Sequence, residues 1–207
     1  DNKIDSNTDK WGWFKKEYPA IANYLESFEE KAKHRYDKGV YWWELRSCDY
    51  YSEFEKPKIM LPDISLKGNF ALDSKGKYYC SNTAYIIGSS DKYLLGILNS
   101  KLITFFYTNI SSKYRGGYLR FIYQYMKRIP IKPIDKEGQK VHKKMVELVD
   151  KILDLNKQLL KVTNKEEKKE LRYQTLYIDQ QIDQMVYDLY GLTDEEIRIV
   201  EESLGER

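Results

Sequence analysis

Cysteine, histidine and proline are scarce in this 207-residue chain, and no Asp or Glu occurs between positions 92 and 134. Two cysteines, Cys48 and Cys80, do not make a disulfide scaffold, so a reducing, cytoplasmic setting is the expectation. Two histidines, His34 and His142, add no zinc-ligand spacing to them and read as surface helix residues. The best apolar run, residues 93–107, is broken by Asn99, Ser100 and Lys101, so neither a membrane span nor a signal peptide is expected. None of the five prolines adjoins another, so no Asn or Asp stands before a Pro-Pro pair. The glycines form no GxxxxGK phosphate loop and no GxGxxG turn, and GxSxG and HExxH are likewise absent. No nucleophile is assembled with a base.

Aromatic residues are plentiful. Nineteen tyrosines and four tryptophans accompany an apolar content of 42%, which argues against disorder and for a sizeable core. The net charge of +3 conceals a strong division. Residues 1–91 carry net −1 and residues 135–207 net −4, whereas residues 92–134 carry net +8. That block holds Lys92, Lys101, Lys113, Arg115, Arg120, Lys127, Arg128 and Lys132. A 43-residue block of this kind suits a polyanion, unless acids elsewhere fold over it and neutralise it.

Periodicity organises the chain into an α+β body, a mixed α/β arrangement, followed by helices. Residues 1–10 are polar and read as a frayed end, and residues 18–35 as a helix with Pro19 in its first turn. Residues 40–45, 58–61, 70–72, 78–80 and 83–87 read as strands, with "DSKGK" at 73–77 as a hairpin turn between two of them. A helix over 91–107, capped by Ser89 or Ser90, would point Leu94, Leu95, Leu98, Leu102 and Phe105 inward. The prolines of "RIPIKP" confine that stretch to an edge or a domain exit. Val141, Met145, Leu148, Ile152, Leu155, Leu159 and Val162 then form a heptad seam. After "TNKEE" it resumes at Leu171, Thr175, Ile178, Ile182, Met185 and Leu189, predicting an antiparallel coiled hairpin. Tyr190-Gly191 should stop the second helix, and Thr193 with Glu196 should cap a last one. The expected domains are 1–134, 135–191 and 192–207.

Two constellations carry chemistry. Pro62-Asp63 followed by Asp73-Ser74-Lys75 matches a loose PD…DxK nuclease pattern, two acids for a divalent metal and a lysine to activate water. The same Asp73-Ser74-Lys75-Gly76 is also what a hairpin turn uses, and metal-dependent cleavage abolished by Asp63→Ala would decide between them. The stretch "SSKYRGGYLRF" at 111–121 is the second. Lys113, Arg115 and Arg120 interleave there with Tyr114 and Tyr118, Ser111 and Ser112 can bond phosphate, and Gly116-Gly117 allows close backbone approach. Arginine there can grip guanine O6 and N7 with two bonds. Arg115 and Arg120 are therefore the candidate base or phosphate contacts, with Lys113, Lys127 and Arg128 as phosphate anchors. About five neutralised phosphates predict a log–log salt slope near −4 to −5.

"KPKIMLPDIS", "DSKGKYYCSNTAYIIG", "YLLGILNSKLITFFY", "KYRGGYLRFIYQYMKRIPI" and "QIDQMVYDLYGLTDEEIRIVEESL" follow one another in an order that resembles the TaqI-like C-terminal specificity domain. That domain belongs to adenine-specific DNA methyltransferases and type IIG restriction-modification enzymes, and its plan is similar to the target recognition domains of type I specificity subunits. The resemblance covers about residues 11–204. It implies recognition of double-stranded DNA without catalysis in this stretch. It also implies an upstream methyltransferase domain that binds S-adenosylmethionine and carries an Asn-Pro-Pro-Tyr-type loop, with Mg²⁺ required if the parent enzyme cleaves. The opening "DNKIDSNTDK", without an initiator methionine, fits a piece of a longer polypeptide. The alternative is a docking module that uses the helical hairpin, and deletion of residues 135–207 is expected to separate the two readings.

Overall fold

The computed structural model describes residues 9–46, 50–136 and 138–205. Of the frayed end expected at 1–10, residues 1–8 lie outside them, as does Cys48, whereas Asp9 and Lys10 cap and open a helix. Packing divides the chain into two units, residues 1–51 and 52–207, each described by itself.

The first unit is helical and aromatic. Asp9 caps α1 (Lys10–Glu17) by accepting from the Gly12 amide, and Pro19 opens α2 (Pro19–Glu26). The single helix predicted over 18–35 is in fact two, because the chain breaks at Ser27 and Phe28 before α3 (Glu29–Lys33). The Ser27 hydroxyl donates to the Tyr24 carbonyl at 2.8 Å, an alternative to regular helix pairing. The strand predicted over 40–45 does not form, and a single bridge between Lys38 and Leu45 stands in its place. The Glu44 carboxylate accepts from the Tyr41 amide and bends the segment. Trp42 and Trp43 consequently pack on Trp11, with ring centroids 4.7 and 4.8 Å away, instead of alternating across a sheet. His34 is exposed just beyond α3.

In the second unit, α4 (Tyr51–Phe54) precedes β1 (Lys58–Pro62). This central strand pairs antiparallel with β3 (Ala71–Asp73) on one side and β4 (Ala84–Ile87) on the other. Lys58 lies opposite Asp73, Ile59 opposite Leu72, and Pro62, at the strand's end, opposite Ala84. The short β2 (Ile64–Ser65) pairs with β5 (Leu119–Arg120) in a separate ladder. The turn after β3 is real, but it is not a hairpin, and residues 78–80 form no strand. The Asp73 carboxylate accepts from the amides of Lys75 and Tyr78, so the chain wraps around it and Tyr79 stacks on Phe54.

The helix predicted over 91–107 is likewise two, α5 (Lys92–Asn99) and α6 (Lys101–Ile110). Asp91, not Ser89 or Ser90, caps the first by accepting from the Tyr93 amide. Ser100 breaks the run and caps the second, while the Asp183 carboxylate takes the freed Lys101 amide at 2.8 Å. After β5 come α7 (Tyr123–Met126), α8 (Gln139–Lys161), α9 (Lys165–Tyr190) and α10 (Asp194–Leu204). The seam buries Met145, Leu148, Leu155, Leu171 and Ile182 as the heptads require. Asn164 caps α9, Gly191 ends it at φ +73°, and Thr193 and Glu196 form the predicted capping box.

The hairpin does not pack only on itself. Gly96 of α5 approaches α8 so closely that a Cβ there would lie 2.7 Å from Met145 Sδ. Ile59, Leu61, Leu98, Tyr107, Phe121, Met145, Val149, Ile182 and Val186 accordingly belong to one core. His142 of α8 lies against the Tyr93 ring at 5.3 Å.

Candidate nucleic-acid interface

The basic loop is built outward from a rigid base. Tyr107, on the inner face of α6, has no solvent exposure; its ring stacks on Phe121 at 4.6 Å, and its hydroxyl donates to the Arg120 carbonyl at 2.6 Å. Burial pushes that phenol well above its ordinary range, so it remains a neutral donor. Leu119, also fully buried, fixes the other strand of the loop. Between these anchors, Lys113 bridges to Leu119, and the Tyr114 amide donates to the Tyr118 carbonyl at 2.8 Å. Arg115, Gly116 and Gly117 make a single tight turn at the tip, with φ +80° and +78° at the two glycines. A Cβ would strain that backbone, which is why two glycines stand there.

Residues 112–118 are all exposed. Ser111 is half-buried, and its Oγ has no hydrogen-bond partner among the described residues. The Ser112 hydroxyl bonds to the Tyr125 phenol and draws it below its ordinary range.

Ion pairing divides the eight cations of the acid-free block. Lys92 pairs with Asp150 at 2.6 Å, Lys101 with Glu201 at 2.5 Å, and Arg120 with Asp63 at 3.0 Å. Lys132 donates to the Leu189 carbonyl. Lys113, Arg115, Lys127 and Arg128 have no ion pair among the described residues, and all four are exposed. Acids from elsewhere thus neutralise part of the field, and what is left is concentrated between positions 113 and 128. The Lys127 ammonium also lies 5.6 Å from the centre of the exposed Tyr123 ring.

Arg120 differs from the other nominated contacts. Its guanidinium reaches both oxygens of Asp63 through Nε and Nη2, and it lies 5.7 Å from the centre of the Tyr114 ring. The pairing raises its affinity for its proton still further. No local sequence signal predicts it, because the partners are separated by 57 positions. Tyr107, the loop's anchor, stands in the sequence only as the last residue of the helix predicted over 91–107.

The nuclease constellation is not brought together. Asp73 is committed to Lys58 at the first residue of β1, and Asp63 to Arg120 just beyond its last. The strand register therefore holds the two acidic residues on the order of 16 Å apart along the direction of β1. No group of three or more metal-ligating side chains occurs among the described residues. Beside the loop, an apolar groove of ≈ 370 Å³ runs between β4, α5 and the segment after β5, with Tyr85, Tyr123 and Lys127 in its lining. No helix among the described residues is long and apolar enough to cross a membrane.

Residues 11–131 match the family described as the TaqI-like C-terminal specificity domain. The chain is 32% identical over 122 residues to the type II methyltransferase M.PaeR7I of Pseudomonas aeruginosa, covering 56% of this chain and 21% of that protein. It is 31% identical over 121 residues to the type II methyltransferase M.XhoI of Xanthomonas vasicola, 55% of this chain and 22% of that one. A longer match, 24% over 194 residues, joins it to the type II methyltransferase M.BstVI of Geobacillus stearothermophilus, 91% of this chain and 30% of that one. The matched part thus spans between a fifth and a third of these relatives' length.

Proposed function

The chain belongs to the TaqI-like C-terminal specificity domain family, and from that premise we propose that it reads double-stranded DNA for a restriction-modification methyltransferase. The observation that carries the reading is the set of four exposed cations whose charged groups make neither an ion pair nor a hydrogen bond among the described residues, Lys113, Arg115, Lys127 and Arg128, on and beside a loop held rigid from below. Phosphate contacts orient a protein on the duplex, and base contacts give it specificity. Arg115, at the tip, is assigned to a base edge or phosphate, and Lys113, Lys127 and Arg128 to phosphates. Tyr114 and Tyr118 offer exposed rings, and Ser112 a hydroxyl, for supporting contacts.

Methyl transfer, and the S-adenosylmethionine it consumes, are placed in a separate domain of a longer polypeptide. The described strands are all antiparallel, with no parallel switch-point crevice to receive that cofactor. We assign no catalysis to this chain. Any Mg²⁺-dependent cleavage would likewise reside in another domain.

A second, compatible role is favoured by one observation. Tyr173, Leu176 and Tyr177 stand exposed at helical spacing on one face of α9, a surface suited to a neighbouring domain of the same polypeptide. Fluorescence anisotropy with duplexes of randomised sequence tests the main reading. Binding that weakens in Arg115→Ala and survives in Tyr177→Glu supports it. No binding at low salt refutes it.

A further inference from the structure

We infer that Arg120 and Asp63 form a positioning clamp that holds the basic loop in register with the central sheet, so that Arg120 acts through the loop and not on DNA. The inference rests on the DNA-reading role proposed above. Asp63 stands where the two ladders meet. Its amide donates to the Thr83 carbonyl at 2.9 Å beside β4, and its carbonyl accepts from the Phe121 amide at 2.7 Å beside β5. Its side chain reaches the guanidinium of Arg120 by three bonds of 3.0 to 3.3 Å. Arg120 in turn lies over the ring of Tyr114, whose amide and carbonyl both close the loop turn. Sheet, ion pair, aromatic ring and loop tip form one continuous chain of contacts.

The geometry also makes Arg120 a poor phosphate ligand. Its side chain is 33% exposed and that of Asp63 16%, and the carboxylate occupies two donor positions of the planar fork. A phosphate contact at Arg120 would need to displace an anion already in place. Lysine would not reproduce the fork, because an ammonium offers no planar pair of donors.

The test compares Arg120→Ala, Arg120→Lys, Asp63→Asn and the reversed pair Asp63→Arg with Arg120→Asp, each confirmed as folded by circular dichroism. Hydrogen exchange at the Tyr114 amide reads the loop without DNA. Anisotropy with the randomised duplexes, taken across a salt series, reads binding. Exchange at Tyr114 should speed up in all three single variants and recover in the reversed pair. Duplex affinity should fall about tenfold in the single variants, a typical coupling for a direct pair. The log–log salt slope should stay at its wild-type value, because no phosphate contact has been lost.

Any of three results overturns the clamp. One is unchanged exchange in every variant. The others are a slope about one unit shallower in Arg120→Ala, and affinity that rises in Asp63→Asn as a freed arginine finds phosphate. A loop that loosens as expected in a protein that binds no duplex would uphold the clamp and refute the DNA-reading role, so the two failures are distinguishable.

Discussion

Lys58 Nζ lies 2.5 Å from Asp73 Oδ2, and both side chains are removed from water, with residue exposures of 0% and 4%. The pair sits at the first register position of β1 against β3, and Lys58 also donates to the Phe54 carbonyl at 2.6 Å. Burial alone would push the Asp73 carboxyl up, but Lys58 and the amides of Tyr78, Lys77 and Lys75 hold it well below the usual carboxylate range.

Asp73→Ala should therefore lower the thermal midpoint markedly, because it strands an ammonium in the core. The pH behaviour follows from the depressed pKa. The stabilisation from Asp73 is fully present above the ordinary carboxylate range and fades as pH falls toward the depressed folded value. Urea midpoints of wild type and Asp73→Ala should converge only in strong acid. The same commitment of Asp73 predicts no duplex cleavage with Mg²⁺ or Mn²⁺ that depends on Asp63 or Asp73, checked by gel assay of Asp63→Ala.

Asp183 carries the opposite shift. Burial pushes it up to about 6, against the Lys101 amide and ammonium of α6, with Asp179 on its own helix and Glu201 on α10 adding negative charge. A raised carboxyl binds its proton more tightly folded than unfolded, so its contribution declines as pH rises through the interval from about 4 to 6. Asp183→Asn retains an oxygen to accept the Lys101 amide and should flatten that decline. At neutral pH the variant should be more stable by up to about 3 kcal/mol, measured by urea unfolding across the pH range.

Removing residues 135–207 is the test the sequence suggested for separating recognition from docking. The shared core changes what it should show. The truncation strips Met145, Leu148, Val149, Ile182 and Val186 from the core and uncovers the face of α5 that carries Gly96. The shortened chain should lose cooperative unfolding and bind the apolar dye ANS, so its DNA affinity is not a fair readout. Gly96→Leu should mimic part of this within the full chain by forcing α5 off α8.

What was legible in the sequence depended on how local the cause was. The heptads of α8 and α9, the Gly191 stop and the Thr193 capping box each lie within a few residues of their cause, and each stands as expected. The break at Ser100 falls at the polar Asn99-Ser100-Lys101, but helical spacing carries across it, and the acceptor that makes the break favourable, Asp183, is 82 positions away. The strand expected at 40–45 failed because its tryptophans found ring partners near the start of the chain. At the loop, composition marked the basic stretch, but which cations remain unpaired depends on Asp63, Asp150 and Glu201, all of them outside it.

The salt dependence of duplex binding measures those unpaired cations directly. Lys113, Lys127 and Arg128 predict a log–log slope of about −2.7, or about −3.6 when Arg115 also meets a phosphate, and the slope should become about one unit shallower with each alanine substitution at a phosphate contact. The Arg120→Ala slope should match wild type. A complex insensitive to salt, or one whose slope is unmoved by all four substitutions, would contradict the account.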